Sequence, residues 1–110
     1  VNFSIRKSPF FQEDVTSQFE WYFDNAGEKL AWRFYNAVDT TLLKLARQPD
    51  LGRRRRFKHS LLSGLRSFQV ESPFDRLLIF YREQSGDLVA ERLMHGARDL
   101  PRRLTEPPGT

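Results

Sequence analysis

Two apolar stripes of helical period, parted by one glycine, limit what this chain can fold into more than any other feature. Phe11, Val15, Phe19 and Phe23 recur every four residues and give the first stripe. Leu30, Phe34, Ala37, Val38, Thr41, Leu42 and Leu45 give a longer second one, with Arg33, Asn36, Asp39 and Lys44 mostly opposite. Ser8-Pro9 predicts the first helix start, because a serine caps free amides and proline suits the first helical position. Glu13 and Asp14 follow near the positive end of that helix, where carboxylates are favoured. Gly27 fits a left-handed stop residue, and Gln48-Pro49-Asp50 followed by Gly52 ends the second helix. So short a link makes the helices an antiparallel hairpin, and its second face needs a sheet or other partner to cover it.

The rest of the chain supplies strands. Residues 2–7 alternate, with Phe3 and Ile5 on one face and Ser4 and Arg6 on the other, the period of a half-buried strand. Three further runs, residues 65–70, 76–82 and 88–94, are divided by Ser72-Pro73 and by a tight turn at Ser85-Gly86-Asp87. Alternation puts Arg76, Leu78, Phe80 and Arg82 on one side of the middle run. The order β-α-α-β-β-β predicts an α+β domain, a helical hairpin on a four-stranded, mostly antiparallel sheet. The first strand joins that sheet because its amides need partners. Residues 1–104 are expected to form a single domain and residues 105–110 a disordered tail.

Composition narrows the function. The 110 residues suit one domain, and 39% hydrophobic content with ten Phe is enough for a core. The formal charge is +4, mostly from Arg, so acidic partners are expected. The absence of Cys excludes disulfides and zinc-thiolate sites. No apolar run approaches the ~20 residues that span a bilayer, and the first residues lack a signal-peptide core. The expectation is a cytoplasmic protein without a membrane partner, metal or cofactor.

Three motifs then carry a resemblance. Gly64-Leu65-Arg66-Ser67-Phe68 opens the second strand, and Arg76-Leu77-Leu78-Ile79-Phe80-Tyr81-Arg82 forms the third. Arg92-Leu93-Met94-His95-Gly96-Ala97-Arg98-Asp99-Leu100 closes the set. With the junction Leu45-Ala46-Arg47-Gln48-Pro49-Asp50-Leu51-Gly52, these resemble the RelE/ParE toxins, and the last motif resembles the ParE branch. The resemblance implies the toxin of a type II toxin–antitoxin pair, of the kind tied to plasmid maintenance and stress response. It implies a cognate, ParD-like antitoxin with an acidic, partly disordered tail, and a toxin–antitoxin hetero-oligomer. DNA would be reached only indirectly, through the antitoxin.

The superfamily holds two mechanisms, and fold alone does not choose between them. RelE-like members cut messenger RNA on the ribosome, whereas ParE-like members resemble poisons that bind DNA gyrase. RNA cleavage needs proton carriers and cations around a phosphate, for which His95, Tyr81, Arg66 and Arg82 are the candidates. RelE-like nucleases commonly carry Tyr or His beyond the last strand, but here Leu100-Pro101-Arg102-Arg103-Leu104 has neither. The favoured expectation is therefore a gyrase-binding toxin with no catalytic residues, whose target contacts are Arg66, Arg92, His95 and Arg98. Trp21, Tyr22, Trp32 and Tyr35 on the hairpin are the expected antitoxin contacts. A fold that keeps only binding is a third reading. The run Arg53-Arg54-Arg55-Arg56 reads as a solvated loop, or as contact with an acidic partner or with DNA held by that partner.

Overall fold

A computed structural model describes residues 2–96 and 100–109. Strand β1 (Ser4–Lys7) leads into helices α1 (Pro9–Ala26) and α2 (Glu28–Arg47). A two-residue strand β2 (Arg53–Arg54) follows, then β3 (Arg66–Gln69), β4 (Leu77–Gln84), β5 (Asp87–His95) and a short helix α3 (Leu100–Thr105). The sheet order is β1-β5-β4-β3-β2, with β1 parallel to β5 and every other pair antiparallel. The four expected strands are present, and β2 adds a fifth. Arg53 and Arg54 pair with Ser67 and Arg66, so the basic run is partly an edge strand.

The hairpin forms as the pattern requires. The Ser8 side chain accepts from the Phe11 amide at 3.0 Å, and Pro9 opens α1. Gly27 serves both helices with φ 97° and ψ 162°, which differs from the expected left-handed stop but is equally a glycine conformation. Asp14 lies beyond the first turn of α1 and is spent on a partner in β5, described below. Ser85 and Gly86, both with positive φ, make the two-residue turn between β4 and β5.

One core lies between the helices and the sheet. Phe11, Val15, Phe34, Val38, Leu42 and Leu45 meet Leu77, Ile79, Tyr81, Leu88, Ala90 and Leu93 there. A second, smaller core lies on the opposite face, where Phe80 and Met94 pack with Leu62, Leu65, Leu100 and Leu104. The sheet is thus covered on both sides, which explains why β4 is continuously apolar from Leu77 to Tyr81.

A bulge in β5 adjusts this two-sided packing. Phe80 pairs with Arg92 and Tyr81 with Ala90, so Glu91 is the extra residue. Strict alternation would set Ala90 and Arg92 on one face. The extra residue lets Leu93 join Ala90 in the hairpin core and sends Met94 to the other core. Beyond β5, α3 closes the second core through Leu100 and Leu104. Of the segment expected to fray, Thr105 ends α3 and the Glu106 carbonyl accepts a hydrogen bond from Arg92.

Phe34 is fully buried and Leu42 nearly so. Replacing either with Ala is expected to cost about 2–5 kcal/mol, read from urea denaturation. Unmoved midpoints in both variants would show that the inner face of the hairpin is misassigned.

Candidate functional site

The residues quoted from the strand motifs are brought together, but most are turned to internal work. Tyr81 is fully buried, and its hydroxyl donates to the Pro49 carbonyl and accepts from the Gly52 amide at 2.8 Å. Gly52 has no room for a side chain, because a β-carbon there would overlap the Tyr81 ring and hydroxyl. Arg66 donates to the Gly52 carbonyl at 2.9 Å and the Asp50 carbonyl at 3.4 Å. Sheet and helix-to-loop junction are thereby tied at residues 49–52.

Arg82 braces the other side of the sheet. Its guanidinium donates to the Ser63 and Leu61 carbonyls, each at 2.8 Å, and its Nε lies 2.9 Å from a Glu91 carboxylate oxygen. That last contact is an ion pair without hydrogen-bond geometry. This holds the turn at Ser60–Leu62 against the sheet and roofs the second core.

Arg92, expected at a target-binding surface, is only 6% exposed. Its Nε and Nη2 meet the two Asp14 carboxylate oxygens at 2.8 and 3.2 Å. Nη1 reaches the carbonyls of Arg103, Leu104 and Glu106, and the guanidinium lies 5.5 Å from the Phe10 ring centre. A planar, multiply donating cation suits both a carboxylate and the free carbonyls of a helix end. Asp14 also accepts from the Leu93 amide at 2.9 Å. Arg92 is therefore a brace between α1, β5 and the segment after α3, and the expectation that it touches a target is corrected by its burial. The bulge at Glu91 turns Arg92 to the face of Phe80, and no sequence pattern marks it.

His95 ends β5, is exposed, and has no hydrogen-bond partner among the described residues. Arg98, the remaining expected target contact, lies outside the described residues. Arg102 and Arg103 on α3 are exposed. The surface at the end of β5 thus keeps His95 and the α3 arginines, supported from beneath by Arg92.

The four hairpin aromatics do not form one strip. Trp32 is exposed and Tyr35 half-buried, and with Val15, Thr16 and Phe19 they line a groove of about 260 Å³ between α1 and α2. Phe19 meets Trp32 edge-on at 4.9 Å and Tyr35 at 6.4 Å. The groove continues past Gln12, Val38 and Asp39 to Lys7. Tyr22 instead packs on Phe34 and Phe74, plugging the core. Trp21 is more than half exposed and faces a separate hollow lined by His95, Pro107 and Pro108. The helical period distinguishes such faces only once the partner layer is known.

The fold is that of a toxin class. The chain aligns with "Chromosomal ParDE TA system from P. aeruginosa" at TM-score 0.69 and 14% identity, over 84% of this chain and 95% of that one. It also aligns with the E. coli DinJ-YafQ toxin-antitoxin complex at TM-score 0.53 and 15% identity, covering 86% and 93%. A conserved hypothetical protein, HP0894 from Helicobacter pylori, gives TM-score 0.50 at 15% identity, covering 86% and 94%. No curated protein matches by sequence. The model of the ParE toxin of type II toxin-antitoxin systems matches residues 5–100, and the chain belongs to that family. Family membership implies an antitoxin partner.

Two predictions follow from the braces. Both carboxylate and guanidinium of the Asp14–Arg92 pair are nearly inaccessible, so Arg92→Gln strands a buried charge and is expected to cost about 3–5 kcal/mol. The double variant Asp14→Leu/Arg92→Met should recover much of that loss in a denaturation series. Failure to recover would place the cost in the α3 carbonyls instead.

Burial holds the Tyr81 phenol above the ordinary tyrosine range, outweighing the Gly52 amide and the Arg66 charge that pull it down. The folded state therefore keeps this proton longer than the unfolded chain. Its contribution to stability is complete below the unfolded value of ~10 and is lost as pH rises through the folded one. Tyr81→Phe should flatten the alkaline fall in melting temperature relative to the parent. An unchanged alkaline slope would remove Tyr81 as its source.

Proposed function

We propose that this toxin acts by binding DNA gyrase and blocking its cycle, and that a cognate antitoxin neutralises it. The observation that carries this reading is the fate of the candidate nuclease set. Tyr81 is sealed by Pro49 and Gly52, while Arg66 and Arg82 are committed to backbone carbonyls. His95 is left without a proton-relay partner among the described residues. A cleavage site would need a base, an acid and phosphate-holding cations converging on one exposed point. A binding toxin needs only surfaces.

Two such surfaces support the proposal. The end of β5, with His95 and the exposed α3 arginines, is the target face, and Arg92 sets its position from below; Arg98 is the further target contact that the sequence motif offers. The aromatic groove of Trp32 and Tyr35 is the antitoxin face. An apolar groove lined by Val15, Phe19, Trp32 and Tyr35 suits an amphipathic segment that orders as it binds. Trp21 and Tyr22 belong to other surroundings and are peripheral to it.

The deciding assay gives the purified toxin to translating ribosomes in one sample and to gyrase with relaxed plasmid in another. Supercoiling is expected to stop while message stays intact. Ribosome-dependent cleavage lost by about 10²–10⁴-fold in His95→Ala, with supercoiling untouched, would reverse the proposal in favour of a nuclease. Silence in both assays would leave a fold that only binds.

A further inference from the structure

The basic run is not a uniform solvated loop. Arg55 is fixed, donating to the Ser67 hydroxyl at 3.3 Å and lying 5.6 and 5.8 Å from the Phe57 and Phe80 ring centres. Its burial and the neighbouring Arg53 charge both lower its pKa, a sign of cation set against cation. Arg53, Arg54, Arg56 and Lys58 are exposed, and none of their side chains has an ion pair or hydrogen bond among the described residues.

The hairpin that carries them concentrates charge of one sign. Residues 53–70 hold six cations and no carboxylate. Arg54 sits directly opposite Arg66 in the β2–β3 ladder, a like-charge pair that opposes strand pairing. Elsewhere carboxylates are interspersed with the cations, and some pair, as Arg6 with Asp87, Lys7 with Asp39 and Arg102 with Glu106. The β2 edge lacks that compensation, and an anion from outside the chain would supply it.

We infer that the β2–β3 hairpin is a nucleic-acid backbone contact, binding the phosphodiesters of a duplex through Arg53, Arg54, Arg56 and Lys58 without reading sequence. An extended segment sets alternate side chains ~6.6 Å apart on the same side, so cations leave both faces along one line. That arrangement follows a row of phosphates. A protein partner would favour an apolar centre with depleted charge, and such a surface lies instead in the helical groove near β1. The sheet order places β1 and β2 at opposite edges.

This contact does not depend on the gyrase reading and is tested without gyrase. Fluorescence anisotropy of one labelled random-sequence duplex, made once as DNA and once as RNA, is followed against toxin from about 50 to 200 mM salt. Four phosphate contacts give a log–log salt slope of about −3 to −4 on DNA, a loss of roughly 10²-fold in affinity over that range. Arg54→Gln/Arg56→Gln should weaken binding and make the slope shallower by about 2. Lys29→Gln/Arg33→Gln, which removes the same charge from α2, should leave the slope unchanged. Because the hairpin side chains are exposed and mutually repelling, the first variant should melt no lower than the parent. Preference for DNA or RNA identifies the source of the phosphates, and either meets the proposal. Absence of salt-dependent binding overturns it, and so do equal losses in the two variants. Unchanged duplex binding with lost binding to a polyglutamate peptide assigns the hairpin to acidic proteins and overturns it as well.

Discussion

The Asp14–Arg92 pair holds together parts of the molecule that the backbone ladders do not join. Asp14 stands on the helical hairpin, Arg92 on the sheet, and the carbonyls that Arg92 also reaches belong to the end of α3 and the residue after it. A buried ion pair is weak as net stabilisation, since desolving two charges offsets much of their attraction. Its value is geometrical. A fork that satisfies a carboxylate on one side and helix-end carbonyls on the other fixes where the C-terminal segment runs. The exposed surface near the end of β5 inherits its position from that fork.

The same logic applies to the other strand motifs. Tyr81 and Arg66 tie the junction at residues 49–52 to the sheet, and Arg82 ties down residues 61–63. Gly52 is required by the close approach of the Tyr81 ring, not by its own backbone angles. The residues that carry the family resemblance are thus largely those that hold loops against the sheet. Such motifs identify the fold strongly and the target weakly, because the side chains that define them are already occupied within the chain.

The hairpin, the three-strand meander and the turn at Ser85-Gly86 were legible because each rests on local physics: a four-residue apolar stripe, period-two alternation, glycine at positive φ. What stayed hidden was relational. Two residues of Arg give no strand pattern, and β2 exists only because β3 offers it a partner. The second core was invisible because Leu62, Leu100 and Leu104 are sparse apolar residues in polar segments and become a cluster only against Phe80 and Met94. The bulge at Glu91 reassigns the faces of β5 by one residue, moving Arg92 off the face it would share with Ala90 and onto that of Phe80, where it meets the end of α3. Trp21 and Trp32 belong to one helical hairpin in sequence and to two different faces in space.

The positions of the surfaces constrain how the toxin is regulated. The aromatic groove runs between the helices to Lys7 at the end of β1, whereas the unpaired cations follow β2 at the far edge of the sheet. An antitoxin segment seated in the groove therefore leaves the basic hairpin uncovered. If both proposals hold, neutralisation and phosphate contact do not compete for the same residues, and a neutralised toxin would still carry cations to a duplex. The proximity of a second, weak phosphate site to a bound one raises its effective concentration into the millimolar range when the link is short. The exposed arginines would add to the affinity of the assembled pair for DNA even where their contact alone is slight. The longest run of cations without a carboxylate, Arg53 to Lys58, thus stands at the edge strand farthest from the groove.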